Sequence, residues 1–302
     1  MTNDINFLSA FSESLVEAVA KAGESTVLVN ARRRIPASGI VYDADLILTA
    51  DHVVERDDDI SVLLADGTSA SATIAGRDPG NDLAMLRLEN IKLTPAKKTK
   101  QGVKVGQVVI ALGRPSQEGI EASLGIISAI GGPAKTWRGG MLERYIRTDV
   151  VPFPGFSGGP LIDAEGRVVG LNTSGLAHGA AITIPAELAW AGADSLVKHG
   201  YIKRGYLGIR SQQVEISVEL RKALDNQQEA GLLLVAVEKN SPAEAGGLLV
   251  GDILVAIDGH PTSDHNDLML QLGGRTVGES VPVQILRGGI PKQLSVQVGE
   301  RK

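Results

Sequence analysis

The chain is predicted to be mainly β, with a first module of short strands and a smaller α+β module behind it. Three observations carry this. From Ser25 to about Ile184, short runs rich in Val, Ile and Leu alternate with turn residues, the pattern of an all-β barrel or sandwich. The length of 302 residues exceeds one average domain and can bury two cores. Beyond Gly200 the pattern changes to mixed strand and helix over about 95 residues, a size that folds independently.

Taken in order, the first element is a helix within 1–24. Ile5, Leu8, Phe11, Leu15, Val19 and Ala22 recur three or four apart and form one apolar face. That face, with Phe7 beside it, suits either the chain's own barrel or a second copy. The β-rich module follows over 25–190, with expected strands at 26–30, 39–42, 60–64, 108–112, 125–130 and 168–172. Asp66-Gly67 and Glu165-Gly166 supply hairpin turns, and Gly131-Gly132-Pro133 breaks the chain. Arg32-Arg33-Arg34 and Asp57-Asp58-Asp59 read as solvated loop charge. A helix is expected over 185–199, with Pro185 in its first turn and Gly200 as its stop, and 191–204 reads as a helical linker. The second module, 205–302, opens with Gly205-Tyr206-Leu207-Gly208-Ile209 and includes a helix near 264–272.

Composition excludes several classes. Lys and Arg number 30 against 35 Asp and Glu, a net charge of −5 that disfavours a nucleic-acid partner, which needs cations facing phosphates. With no cysteine there is no disulfide, thiol chemistry or thiolate-held zinc. The start of the chain carries Asp4 and no basic residue before Lys21, unlike a secretory signal, and no apolar run approaches the roughly 18 residues of a membrane span. The expectation is a cytoplasmic protein as written, or a secreted or periplasmic one whose targeting segment was removed.

The chemistry concentrates in Pro154-Gly155-Phe156-Ser157-Gly158-Gly159-Pro160. A serine in G-x-S-G-G suits an acyl-transfer nucleophile, because the N–H groups of Gly155 and Ser157 can converge on a developing oxyanion. A hydroxyl needs an imidazole to take its proton and a carboxylate to fix the imidazole's tautomer. His52 stands after the apolar run Leu46-Ile47-Leu48, and Asp82 opens the next strand-like run. The order His, Asp, Ser is that of chymotrypsin. His178, His199, His260 and His265 show no metal-ligand spacing, and neither metal nor cofactor is implied.

Together, TADHVV around His52, NDLAMLRL around Asp82, GQVVIALGRP, SLGIISAI, RTDVVPFPGFSGGPL around Ser157, GRVVGLNT, AITIP, LVKHGYIKRGYLGI and NSPAEAGGLLVGDILVAIDG resemble the HtrA/Deg family of PDZ-containing serine proteases. The resemblance covers nearly all of residues 25 to 300, with triad spacings of 30 and 75 residues as in the short-looped members. It implies a trypsin-like double β-barrel protease domain, one C-terminal α+β PDZ domain, commonly a homo-trimer, and ATP-independent turnover of unfolded or damaged proteins. A rival reading is a proteolytically weak, PDZ-bearing chaperone or scaffold. The family usually has asparagine before the nucleophile, and Phe156 stands there instead, which leaves the resting form of the loop open.

In trypsin-like folds the residue six before the nucleophile lies at the base of the substrate pocket, here Val151, flanked by Val150 and Pro152. The opposite wall is expected from Thr173, Ser174, Gly175 and Leu176, with His178 in the adjoining loop. An uncharged pocket favours small aliphatic side chains, because a buried cation there would lack a counter-ion. In the PDZ module, successive N–H groups of Tyr206, Leu207, Gly208 and Ile209 can hold a peptide's terminal carboxylate. Leu268, Met269 and Leu272 would receive its last side chain, although ordinary core packing is expected of at least one of them.

Overall fold

The computed structural model describes residues 2–176, 181–224, 228–273 and 276–300, with the side chains of 2–5 and 223 outside the description. His178 lies outside it, as does the side chain of Ile5. The chain divides into two compact units between Ile202 and Lys203.

In the first unit six strands close a barrel: β1 (Thr26–Asn30), β2 (Ala37–Asp43), β3 (Leu46–Thr49), β4 (Ile60–Leu63), β5 (Ser69–Asp78) and β6 (Leu83–Leu88). Their order is β1-β2-β3-β6-β5-β4, and pairing of β4 back on β1, with Val29 opposite Val62, removes the free edges. Ile40, Ile47, Leu48, Met85 and Leu86 are fully buried in it. With few aromatics, the core is filled by aliphatic side chains, as the composition requires.

The second barrel comprises β7 (Val108–Ser116), β8 (Gly119–Gly131), β11 (Tyr145–Thr148), β12 (Pro160–Ile162), β13 (Val168–Thr173) and β14 (Ile182–Pro185). Between β8 and β11 a small hairpin stands apart from the barrel, β9 (Ala134–Lys135) paired with β10 (Met141–Leu142). The closed double barrel bears out the expected trypsin-like architecture.

Two helices complete this unit. The first, α1 (Thr2–Gly23), buries Ala18 and Ala22 on its own barrel, and Lys21 Nζ donates to the Glu165 carbonyl at 2.9 Å. Its earlier turns leave Phe7, Leu8 and Phe11 exposed. The expected packing on the chain's own barrel thus holds for the C-terminal turns, and the remaining apolar side chains face outward. The second, α2 (Ala186–His199), ends at Gly200, whose φ of 80° is left-handed and whose N–H donates to Leu196 O. Ala189, Trp190, Ala193 and Leu196 bury against the first unit's core. The helical part of 191–204 thus belongs to that core.

The second unit is an α+β fold. Its sheet runs β16 (Ile209–Glu215), β17 (Ala230–Val237), β18 (Ile253–Ile257), β20 (Ser280–Arg287), β21 (Ile290–Gln297), with β19 (His260–Pro261) on β18. A short pair, β15 (Gly205–Tyr206) with β22 (Gly299–Glu300), lies beside it. Three helices connect these strands: α3 (Val218–Leu224), α4 (Pro242–Ala245) and α5 (His265–Gln271). Asp264 and Asp267 form a capping box that starts α5. Leu207, Leu232, Leu234, Leu254, Val283 and Ile285 fill a core separate from those of the barrels. No helix among the described residues is long and apolar enough to cross a membrane.

Candidate active site

His52 sits on a single 3-10 turn, Asp51–Val53, directly after β3. Its backbone N–H donates to Asp82 Oδ1 at 2.8 Å, and its Nδ1 lies 2.8 Å from Asp82 Oδ2. Two bonds from one residue to one carboxylate fix both the main chain and the ring. Asp82 is completely buried and has a left-handed φ of 56°, tolerated best by Asp and Asn among residues with a Cβ. That conformation turns the chain as it enters β6. The Thr173 hydroxyl also donates to Asp82 Oδ2. An acceptor engaged on its Nδ1 side leaves the ring's Nε2 as the face able to receive a proton.

Ser157 lies in a turn whose peptides are individually pinned. Ser38 Oγ donates to Gly155 O at 2.7 Å while Phe156 N–H donates to Phe153 O at 3.1 Å. Ser38 N–H donates to Ser157 O at 3.1 Å, and Gly158 N–H to Asn172 O at 2.8 Å. Gly159 N–H holds Phe156 O at 2.9 Å. Gly155 and Gly158 have φ of 90° and 85°, and a Cβ on Gly158 would collide with Ser38 O and Thr49 Oγ1. Among the described residues, the N–H groups of Gly155 and Ser157 donate to no protein acceptor. The N–H groups of Phe156, Gly158 and Gly159 are all engaged within the protein.

The Ser157 hydroxyl lies 3.2 Å from Ser174 Oγ, and no hydrogen bond joins it to His52. Ser174 is followed by Gly175, which packs on the imidazole so closely that an ideal Cβ would stand 2.5 Å from His52 Nδ1. The structure therefore brings His52 and Asp82 into direct contact, with Ser157 bonded to Ser174, the neighbour of the glycine that packs on the imidazole.

Phe156 fills the second barrel. Its ring is buried with Val109, Ala111, Ile127, Ile146, Leu161 and Val169, and meets Phe153 edge-on at 5.4 Å between centroids. Gly113 makes room, since a Cβ there would strike the ring. The substitution thus spends its side chain on packing and leaves the turn's donors in place.

The expected substrate pocket is only partly assembled. Val151 and Pro152 are exposed, with Val151 N–H on Ser123 Oγ at 2.9 Å. Thr173 does not line a wall: it is buried, its hydroxyl committed to Asp82. Ser174 is exposed and Gly175 half-buried. Several participants had no sequence signal. Ser38 lies over a hundred positions from the turn it pins, and Trp137 Nε1 donates to Gly175 O at 2.5 Å from the β9–β10 hairpin. Asp51, buried beside His52, could have been suspected from its adjacency alone.

In the second unit, Leu207 is core and Ile209 packs on the same core. Gly208 has a left-handed φ of 79°, and Tyr206 OH donates to Glu238. Leu268 and Leu272 are partly buried against the core, whereas Met269 is exposed. β16 is an edge strand, so one side of it is open to another strand. His265 Nε2, at the start of α5, lies 3.0 Å from Ser211 O on β16.

These features define a trypsin-like double barrel carrying a bonded His52–Asp82 pair, followed by a PDZ module. The family pattern for a trypsin-like peptidase domain matches residues 37–171, and that for a PDZ domain matches 205–298. The solved HtrA-type protease AlgW with a tripeptide is 32% identical, with a TM-score of 0.78 over 95% of this chain and 97% of that one. The chain belongs to the HtrA family of proteases. A Pseudomonas putida (strain GB-1) protein described as a probable DegP-like periplasmic serine endoprotease is 35% identical over 269 residues, covering 87% of this chain and 55% of that protein. The periplasmic serine endoprotease DegP of Escherichia coli K12 is 33% identical over 274 residues, covering 86% and 56%. The chain thus spans about half the length of these curated relatives. Both are named as periplasmic, which lends no support to the expectation of a cytoplasmic protein.

Proposed function

We propose that the chain is an ATP-independent serine endopeptidase acting on unfolded or damaged polypeptides in the periplasm, with its PDZ domain receiving peptide C-termini. The observation that carries this is the His52–Asp82 pair set beside two idle N–H donors at Gly155 and Ser157. Ser157 Oγ leaves Ser174, attacks the scissile carbonyl and passes its proton to His52 Nε2. Asp82 holds the imidazole in the required tautomer, and the two N–H groups receive the oxyanion. His52 then returns the proton to the leaving amine, and water repeats the cycle on the acyl-enzyme. The relatives named as serine endoproteases favour this reading over the chaperone alternative.

The pocket reading, with Val151, Pro152, Ser174 and Gly175 uncharged, favours Val, Ala, Ile or Leu before the scissile bond. Burying such a side chain contributes about 1.5–3 kcal/mol. A lysine or arginine would be desolvated without a counter-ion. Incubation with unfolded casein, beside Ser157→Ala, tests both claims. Wild type should cut and Ser157→Ala should not, while still binding the casein. New termini read by mass spectrometry should follow aliphatic residues, and a majority after Lys or Arg would overturn the pocket. Equal turnover by Ser157→Ala would overturn the mechanism.

A further inference from the structure

Two buried carboxylates flank His52, and only one belongs to the triad. Asp82 is 0% and Asp51 2% exposed. Arg138 Nη1 lies 3.0 Å from Asp51 Oδ2 and 3.6 Å from Asp82 Oδ1, so one guanidinium nitrogen stands between the two anions. Arg77 Nε holds the other oxygen of Asp51 at 2.6 Å, and its Nη1 reaches the exposed Asp57 at 3.2 Å. The His52 imidazole faces Asp82 as well.

The loop bearing Arg138 connects β9 to β10 and touches both segments that carry the site. Thr136 Oγ1 donates to Gly80 O at 2.6 Å, two residues before Asp82. Trp137 Nε1 donates to Gly175 O, and the Arg138 guanidinium lies over the Trp137 ring at 5.6 Å. The aspartate side chain is thereby approached from His52, Thr173 and Arg138.

Resting on the proteolytic reading above, we propose that Arg138 is a positioning residue of the catalytic site: standing between the two buried carboxylates, it holds Asp82 in line with His52 Nδ1. Two buried carboxylates repel each other, and without the guanidinium nitrogen that touches both, Asp82 would be pushed out of line. If Asp82 yields, the imidazole loses the acceptor that sets its tautomer. Asp51 creates the need that Arg138 meets, so removing both should be milder than removing the arginine alone.

The test compares wild type, Arg138→Gln, Arg138→Lys and the double variant Asp51→Asn/Arg138→Gln as full chains. Turnover of a short peptide is measured together with the low-field proton resonance of the imidazole Nδ1–H. Arg138→Gln should lower kcat on the order of tenfold or more with KM nearly unchanged, the mark of a misplaced reacting group. Its low-field resonance should weaken or shift, Arg138→Lys should be intermediate, and the double variant should recover most of both signals. Wild-type kcat and resonance in Arg138→Gln would overturn the proposal, as would a double variant no better than the single one. Melting temperatures identify a variant that has lost its fold. If Arg138→Gln does not fold, a double variant near wild-type kcat supports the proposal, and one at the uncatalysed floor overturns it. A wild type that cleaves nothing would defeat the proteolytic reading alone, because the resonance still reports what Arg138 does.

Discussion

At Gly175 an ideal Cβ would stand 2.5 Å from His52 Nδ1 and 2.6 Å from Asp82 Oδ2, closer than carbon approaches either atom. Neither neighbour can yield, since each is held by the other at 2.8 Å. Gly175→Ala should therefore displace the imidazole while leaving the barrels intact. Peptide turnover is expected to fall about a hundredfold, since a displacement of an ångström at reacting groups costs that much. A thermal melt close to wild type would confirm that position alone was lost, whereas unchanged turnover would mean that the ring is not held where the structure has it. Residues of this kind explain what the sequence could and could not disclose. His52, Asp82 and Ser157 were legible because chain order and flanking motifs identify them. Thr173 was assigned to a pocket wall because its segment was recognisable, but which neighbour its hydroxyl meets depends on a contact with residue 82, 91 positions away.

Among the elements, α1 divides into a buried half and an exposed half. Its C-terminal turns bury Ala18 and Ala22, while Phe7 and Phe11 face outward at 70% and 38% exposure. In a homo-trimer of the kind the resemblance implies, the outward face would be the part available to another copy. Removing residues 1–14 should weaken the oligomer with little change in the melting of the first unit, whereas removing 1–22 should also lower that melting temperature. Sedimentation showing the same assembly after the shorter deletion would assign the face no role in association. In the second unit the matching test is pH. Burial pushes the Asp252 carboxyl up, but Arg287, bonded at 2.7 and 2.8 Å, and the Leu249 N–H outweigh it and leave it below the usual carboxylate range. A depressed folded value contributes stability that is complete above the unfolded carboxylate pKa of about 3.9 and is lost as pH falls through the folded value. Acid titration of the isolated 203–302 unit should show that loss, and Asp252→Asn should flatten it. An unchanged pH dependence would place the acid sensitivity elsewhere. Element type was readable from period and punctuation, as with Gly200 ending α2. The β9–β10 hairpin was not, because strands of two residues carry no period.

Over the whole molecule, the division into two units gives each a separable task. The proposed peptide site of the second unit, around Tyr206, Leu207, Gly208 and Ile209, depends on backbone donors meeting a carboxylate. Peptides ending in an apolar residue should bind the PDZ unit, and capping the end as an amide should remove most of the affinity, measured by calorimetry. Equal binding of both forms would leave the edge of β16 as the only attraction. The fold class was legible from strand spacing and from motifs spread over both units. The core of neither unit could be drawn in advance, because which aliphatic residues meet across a barrel depends on its closure. That closure has a further consequence. β4 returns to β1 through backbone hydrogen bonds and the side-chain bond of Asn30 Nδ2 to Ser61 Oγ, in a chain without a single cysteine, so the closure is made by contacts that can part and reform. No step of assembly then waits for an oxidant or for the reshuffling of wrongly joined thiols. Regaining this shape after heat or acid has opened it therefore does not depend on the redox state of the surroundings.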